Sequence, residues 1–104
     1  MIVESLEKVG INGSVQWILV RGNNEGPLII QVQAGPGFPM IPEAKSINKL
    51  LNWETDFLVA YWDQRGCGKS FSREEDPRNI NLNQLTSDVI FCTNYLLKKY
   101  KNNG

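Results

Sequence analysis

Hydrophobic and polar residues alternate or cluster in short runs over the first two thirds of this 104-residue chain. Residues 2–8 alternate weakly, residues 14–21 are rich in β-branched and aromatic side chains, and the turn signal at residues 10–13 separates them. This pattern predicts an antiparallel hairpin. The apolar runs at residues 28–33 and 57–62 are typical of strands buried on both faces.

Helical spacing marks two further segments. Pro42 suits the first turn of a short helix. Ile47, Leu50 and Leu51 are expected on one face of this helix. A second, longer helix has Asn81 as a candidate N-cap and Gln84 three residues later, which resembles a capping box. Its apolar stripe comprises Leu82, Leu85, Val89, Cys92 and Leu96.

The predicted order is hairpin, strand, helix, strand, helix. Strands that alternate with helices form an α/β sheet in which the later strands are parallel. The sequence therefore predicts the α/β class. The last helix is its clearest element, because its apolar residues recur in steps of three and four.

Charge and composition exclude several classes of partner. Lys and Arg number 11 and Asp and Glu also number 11, so no net charge favours nucleic acid or an anionic membrane. No apolar run approaches the roughly 20 residues of a membrane span, and residues 1–5 do not resemble a secretion signal. Two cysteines, Cys67 and Cys92, do not suggest a disulfide framework. We expect a reduced, cytoplasmic protein with neither a nucleic-acid nor a membrane partner.

The absence of histidine limits the chemistry of the chain most strongly. A Ser-His-Asp triad or a Cys-His pair cannot form without an imidazole, and the commonest metal ligand is missing. Two cysteines alone do not suggest a zinc site. We therefore expect no metal, no cofactor and no triad chemistry from this chain alone.

The segment from Gly66 to Ser70 invites two functional interpretations. Its Gly-Lys-Ser ending resembles a phosphate-binding loop, but Asp63 stands where that motif requires the first glycine, and an acidic segment ending at Pro77 follows in place of a helix. ATP or GTP should therefore not raise the melting temperature. Cys67 could be a reactive thiol beside Arg65 and Lys69, but no imidazole base is present, and a loop cysteine without a role is favoured.

Two glycine-containing segments, each at the end of a predicted strand, are more informative together. The first is Gln33-Ala34-Gly35-Pro36-Gly37, and the second is Asp63-Gln64-Arg65-Gly66-Cys67-Gly68-Lys69-Ser70. Together they resemble the α/β-hydrolase fold and, more narrowly, the proline iminopeptidase branch of serine peptidases. That branch carries a His-Gly-Gly-Pro-Gly loop and an Asp-Gln-Arg-Gly-x-Gly-x-Ser loop. The second match is complete, whereas Gln33 and Ala34 replace His and Gly in the first.

The resemblance implies one catalytic group in this chain. The backbone N–H of Gly35 would donate to the oxyanion, because the loop after the third strand of this fold supplies one oxyanion-hole amide. Residues that would support the two loops are Gln33, Ala34, Pro36, Gly37, Asp63, Arg65, Gly66 and Gly68. Asp63 and Arg65 are expected to brace the first loop. The alternative is that the second loop is a simple strand-to-helix turn.

The family's Gly-x-Ser-x-Gly nucleophile motif is absent from residues 1–104. The resemblance thus implies an incomplete N-terminal part of an α/β-hydrolase domain, without the nucleophile strand and everything after it. It would be inactive alone, and its parent would cleave N-terminal residues from peptides or hydrolyse small esters. Absence of the next strand would expose the edge at residues 28–33, which predicts a homo-oligomer or a missing C-terminal half. The alternative is a small stand-alone interaction module that self-associates through this edge.

Overall fold

A computed structural model describes residues 2–31, 41–64 and 82–101. This part of the chain forms a four-stranded mixed sheet and two α-helices. The strands are β1 (Ile2–Ile11), β2 (Ser14–Asn23), β3 (Leu28–Gln31) and β4 (Leu58–Asp63). A 3-10 turn (Ile41–Glu43) precedes α1 (Ala44–Leu51), and α2 spans Leu82–Tyr100.

The β1–β2 hairpin is closed by a two-residue turn. Asn12 and Gly13 have φ angles of 49° and 83°, and the strands pair from Ile11↔Ser14 to Ile2↔Asn23. Positive φ at both turn residues matches the right-handed twist of the strands and favours an Asn-Gly pair. The predicted hairpin is confirmed, and both strands extend beyond their predicted ends.

The sheet order is β1-β2-β4-β3. β2 pairs with β4 in antiparallel orientation, and β3 pairs with β4 in parallel. The predicted α/β class, the predicted order of elements and the parallel pairing of the two later strands are therefore confirmed.

β4 is buried on both faces. Its residues Leu58, Ala60 and Trp62 belong to a core that includes Cys92 and Leu96 of α2. Its residues Val59 and Tyr61 belong to a second core with Ala44 of α1. Because consecutive strand residues point to opposite faces, β4 places one helix on each side of the sheet.

The predicted apolar face of α1 is only partly covered by the sheet. Leu50 is 84% exposed and Leu51 is 54% exposed, whereas Ala44 and Ile47 contact the second core. Asn52, with a φ of 50°, ends α1 in a left-handed C-cap, so only its first turns reach the sheet. β3 was expected to be buried on both faces, but its residues are half-buried because it lies at an end of the sheet order.

The apolar stripe of α2 packs largely as predicted. Cys92 and Leu96 are fully buried, and Val89 packs against their core. Leu85 is only half-buried. The predicted N-cap, Asn81, lies outside the described residues. Within the described ranges, no helix is long and apolar enough to cross a membrane.

Candidate functional site

β3 and β4 end at the same edge of the sheet. Their parallel register runs from Leu28↔Leu58 to Gln31↔Tyr61, so the chain leaves both strands on one side. Ligands of open α/β sheets bind outside the carboxyl ends of the strands. Both glycine-containing segments follow this edge in the sequence, which makes it the candidate site.

Asp63 is the predicted site residue that the structure describes. It ends β4 and is fully buried. Its Oδ1 accepts a hydrogen bond of 2.8 Å from the backbone N–H of Ile41, the residue that begins the 3-10 turn before α1. Asp63 therefore connects the carboxyl end of β4 to the 3-10 turn that precedes α1. Its predicted bracing of the loop around Gly35 stays a prediction.

The other predicted site residues lie outside the described residues. They are Gln33, Ala34, Gly35, Pro36 and Gly37 of the first segment, and Arg65, Gly66 and Gly68 of the second. The oxyanion role of Gly35 accordingly stays a prediction. The alternative interpretations of Cys67 and of the phosphate-binding motif also stay predictions.

A buried carboxylate lies between α2 and the hairpin. Asp88 is fully buried and accepts hydrogen bonds from the side-chain amides of Asn12 (3.0 Å), Gln16 (3.2 Å) and Gln84 (3.0 Å). Gln16 in turn accepts a hydrogen bond of 2.9 Å from Trp62 Nε1. Burial of a carboxylate is tolerated when several donors satisfy it. This network positions α2 against β2 and β4.

A second polar chain lies on the α1 side of the sheet. Trp53 Nε1 donates to the Tyr61 hydroxyl (2.8 Å), which donates to Glu54 Oε2 (2.6 Å). Arg21 Nε lies 3.1 Å from Glu54 Oε1 and 3.5 Å from Glu4 Oε2. Burial, and then the neighbouring Glu54 carboxylate, raise the pKa of Tyr61 well above its usual value. Tyr61 is therefore a neutral donor and not a general base.

Cys92 is a core residue, as predicted. Burial, and then the charge of Asp88, raise the pKa of its thiol to about 12. The thiolate is the nucleophile and the metal ligand, and burial together with a raised pKa leaves Cys92 little of it at neutral pH. Within the described ranges, no group of three or more Cys, Asp and Glu side chains is placed to hold a metal ion.

A shallow groove of about 420 Å³ separates the outer face of the hairpin from the start of α1. Leu6, Leu19, Arg21 and Ile41 are among its lining residues. Asp63 does not line the groove, but it accepts a hydrogen bond from the backbone N–H of Ile41, which does.

The sequence analysis did not single out the partners of Asp88 or Glu54. Asp88 had a detectable signal, because it lies three residues after Leu85 and four before Cys92, within the apolar stripe of α2. A lone carboxylate at such a position needs buried donors. Glu54 and Arg21 gave no comparable signal, because nothing in their local sequence relates residues 33 positions apart.

Comparisons with known proteins find relatives of this chain by sequence and by structure. No protein-family model matches the sequence. The chain is 30% identical over 96 residues to the "Probable aminopeptidase YbaC" of Bacillus subtilis (strain 168), a match that covers 91% of this chain and 30% of that protein. The proline iminopeptidase-related protein of Thermus thermophilus is similar in structure, with a TM-score of 0.73 and 27% identity. That match covers 90% of this chain and 32% of the Thermus chain.

The chain thus spans about a third of the length of these relatives. Sequence and structure agree on the same type of relative, and the predicted resemblance is confirmed. Over the part that it shares with them, this chain is a relative of the proline iminopeptidase-like proteins.

Proposed function

We propose that this chain is the oxyanion-hole part of an α/β-hydrolase that acts on N-terminal peptide bonds or on small esters. The observation that carries the proposal is the parallel β3–β4 pair, whose carboxyl ends lie at one edge, directly before the segments that contain Gly35 and Arg65. The relative named as a probable aminopeptidase supports the same class of reaction.

The proposed role of Gly35 follows from the chemistry of acyl transfer. A tetrahedral intermediate carries a developing negative charge that fixed N–H donors stabilise at about 3 Å. A glycine backbone gives the closest approach because it has no Cβ. The N–H of Gly35 would be one such donor, and Asp63 would hold the neighbouring backbone through Ile41.

We propose further that the chain is catalytically inactive alone. Its 104 residues contain no histidine and no Gly-x-Ser-x-Gly motif, so they supply neither the general base nor the expected nucleophile. Purified protein should hydrolyse neither prolyl nor nitrophenyl substrates. Hydrolysis that rises in proportion to purified protein would contradict the proposal.

A chimera tests the role of Gly35 directly. This chain, joined to the remaining part of the Bacillus relative, should be assayed as three versions: unchanged, Gly35→Ala and Gly35→Pro. Proline removes the N–H, whereas alanine keeps it, so we expect Gly35→Pro to lower kcat about 10²–10³-fold further than Gly35→Ala. Equal kcat values in two folded variants would exclude the Gly35 amide as an oxyanion donor.

The alternative function is a small interaction module that self-associates through β3. The half-buried residues of β3 and its place at one end of the sheet order support this alternative. An unpaired edge strand is a template for another strand. Light scattering at high concentration tests it, because a stable monomer would contradict association through any sheet edge.

A further inference from the structure

The opposite end of the sheet carries a longer edge. β1 spans ten residues and lies at the end of the strand order, so among the described residues only β2 pairs with it. Its exposed face is formed by alternate residues, which are Ile2, Glu4, Leu6, Lys8 and Gly10. Ile2 is 70% exposed and Leu6 is 46% exposed. An edge of this length with exposed apolar residues favours association.

The hairpin register decides which backbone groups point outward. Ile11 and Ser14 flank the two-residue turn and close the ladder as a hydrogen-bonded pair. Hydrogen-bonded pairs then recur at every second residue, so odd-numbered residues of β1 direct their N–H and C=O groups to β2. The even-numbered residues direct theirs to the free edge.

We propose that two copies of this chain associate through their β1 edges as antiparallel strands, with Leu6 on the two-fold axis. In this register Leu6 pairs with Leu6 of the second copy, and Glu4 pairs with its Lys8. Lys8 pairs with its Glu4 by the same symmetry. The even-numbered residues pair with one another, so their outward backbone groups form the hydrogen bonds of the new ladder.

The charges of Glu4 and Lys8 favour this register over the neighbouring registers of the β1–β1 pair. A shift that placed Glu4 opposite itself, or Lys8 opposite itself, would bring like charges together across the strands. Smaller shifts would place either charge against Leu6. Only the register centred on Leu6 forms two opposite-charge pairs around a leucine pair, and such cross-strand pairs stabilise a sheet. The Glu4 side chain is 66% exposed, so it can contact Lys8 of the second copy while its Oε2 stays 3.5 Å from Arg21 Nε.

Charge reversal tests the proposal on the full chain. Sedimentation velocity at low ionic strength, over a concentration series, should show a dimer of the unchanged chain. Glu4→Lys and Lys8→Glu should each raise the dimer dissociation constant about tenfold or more, because each turns two attractive pairs into repulsive ones. Glu25→Lys and Lys49→Glu carry the same charge changes at positions elsewhere on the molecule and should leave the constant unchanged.

Two rescue experiments are specific to this register. The double variant E4K/K8E should dimerise like the unchanged chain, because its pairs are again opposite in charge. An equimolar mixture of Glu4→Lys and Lys8→Glu chains should form a heterodimer, although neither variant dimerises well alone. Formation of the heterodimer also shows that both single variants are folded.

Two results would overturn the proposal. One is an unchanged chain that stays monomeric over the whole concentration range. The other is a dimer whose dissociation constant is unaffected by Glu4→Lys and Lys8→Glu, which would show that the association does not use the β1 edge in this register. This association is independent of the proposed hydrolase function, and hydrolase assays do not decide it.

Discussion

Gly22 occupies a position in the fold that disfavours any residue with a Cβ atom. Its φ angle is 119°, and a Cβ built there would lie 2.2 Å from the carbonyl oxygen of Phe57. That contact is far shorter than any side chain allows, and residues other than glycine rarely adopt this φ. The close approach joins β2 to the segment that enters β4, since the backbone N–H of Asn23 also donates to the Phe57 carbonyl.

We expect Gly22→Ala to lower the free energy of unfolding by about 3 kcal/mol, through backbone strain and the clash with Phe57. Urea denaturation measures this loss. Gly10→Ala is the matched control, because a Cβ on Gly10 meets no heavy atom within 4 Å. Its effect should stay within about 1 kcal/mol. Equal losses in the two variants would show that the tight approach at Gly22 is not what restricts this position.

The sequence predicted the structural role of a single residue correctly where that role depends only on neighbouring residues. The turn signal ending in Asn12 and Gly13 correctly placed the hairpin, because the preference for positive φ belongs to those two residues. Leu50 and Leu51 were placed on one face with Ile47, but of these three residues only Ile47 contacts a core. Apolar spacing shows which residues share a face but not whether another element covers that face.

At the scale of elements, the carboxylate of Glu7 in β1 binds the last turns of α2. Glu7 is 7% exposed, and its Oε1 accepts hydrogen bonds from Tyr95 (2.6 Å) and Lys99 Nζ (2.9 Å). Its Oε2 accepts one from the Tyr100 hydroxyl. Burial favours the neutral acid, but these hydrogen bonds outweigh burial and lower the pKa of Glu7. Charged Glu7 therefore stabilises the contact between the last turns of α2 and the hairpin.

The lowered pKa of Glu7 predicts how stability depends on pH. A carboxyl whose pKa is lower in the folded state stabilises the fold above its unfolded pKa, and the contribution is lost as pH falls through the folded pKa. We expect the unchanged chain to be more stable than Glu7→Gln at neutral pH. This difference should shrink as the pH falls below 4.5, the ordinary pKa of a glutamate side chain.

Urea denaturation at several pH values measures the difference. Glu25→Gln serves as the control, because Glu25 is exposed in the turn between β2 and β3, and it should match the unchanged chain at each pH. A difference for Glu7→Gln that stays constant down to acid pH would contradict the role of the Glu7 charge.

On the scale of the whole molecule, β4 joins two separate cores. Trp62 belongs to the core under α2, whereas Trp53 packs against the core under α1. Val59 and Ala60 are adjacent in β4 and fully buried on opposite faces. Neither core can lose β4 without exposing the other, so the described sheet and its helices should unfold together.

Single-tryptophan variants test this cooperativity. Trp17→Phe/Trp53→Phe leaves Trp62 as the probe of one core, and Trp17→Phe/Trp62→Phe leaves Trp53 as the probe of the other. In each variant, the urea transitions by fluorescence and by far-ultraviolet circular dichroism should coincide. A fluorescence transition that precedes the loss of helix signal in one variant would mean that its core opens independently.

Local pattern in the sequence determined the α/β class, the order of the elements and the two segments that carry the family resemblance. Periodicity, turn preference and motif spacing depend on neighbouring residues, so they can be read without a structure. The matches to the Bacillus and Thermus proteins agree with that prediction.

Only the tertiary structure decided which strand is central and which polar groups are paired. The apolar runs of β3 and β4 look alike in the sequence, yet β4 lies inside the described sheet and β3 at its end, because strand order depends on pairings between distant residues. The hydrogen-bond partners of two buried carboxyl groups also lie far away in the sequence. Glu7 accepts a hydrogen bond from Tyr95 of α2, 88 residues later, and Asp88 accepts one from Gln16 of β2. Burial and hydrogen bonding arise where separate elements meet, and no local pattern contains that information.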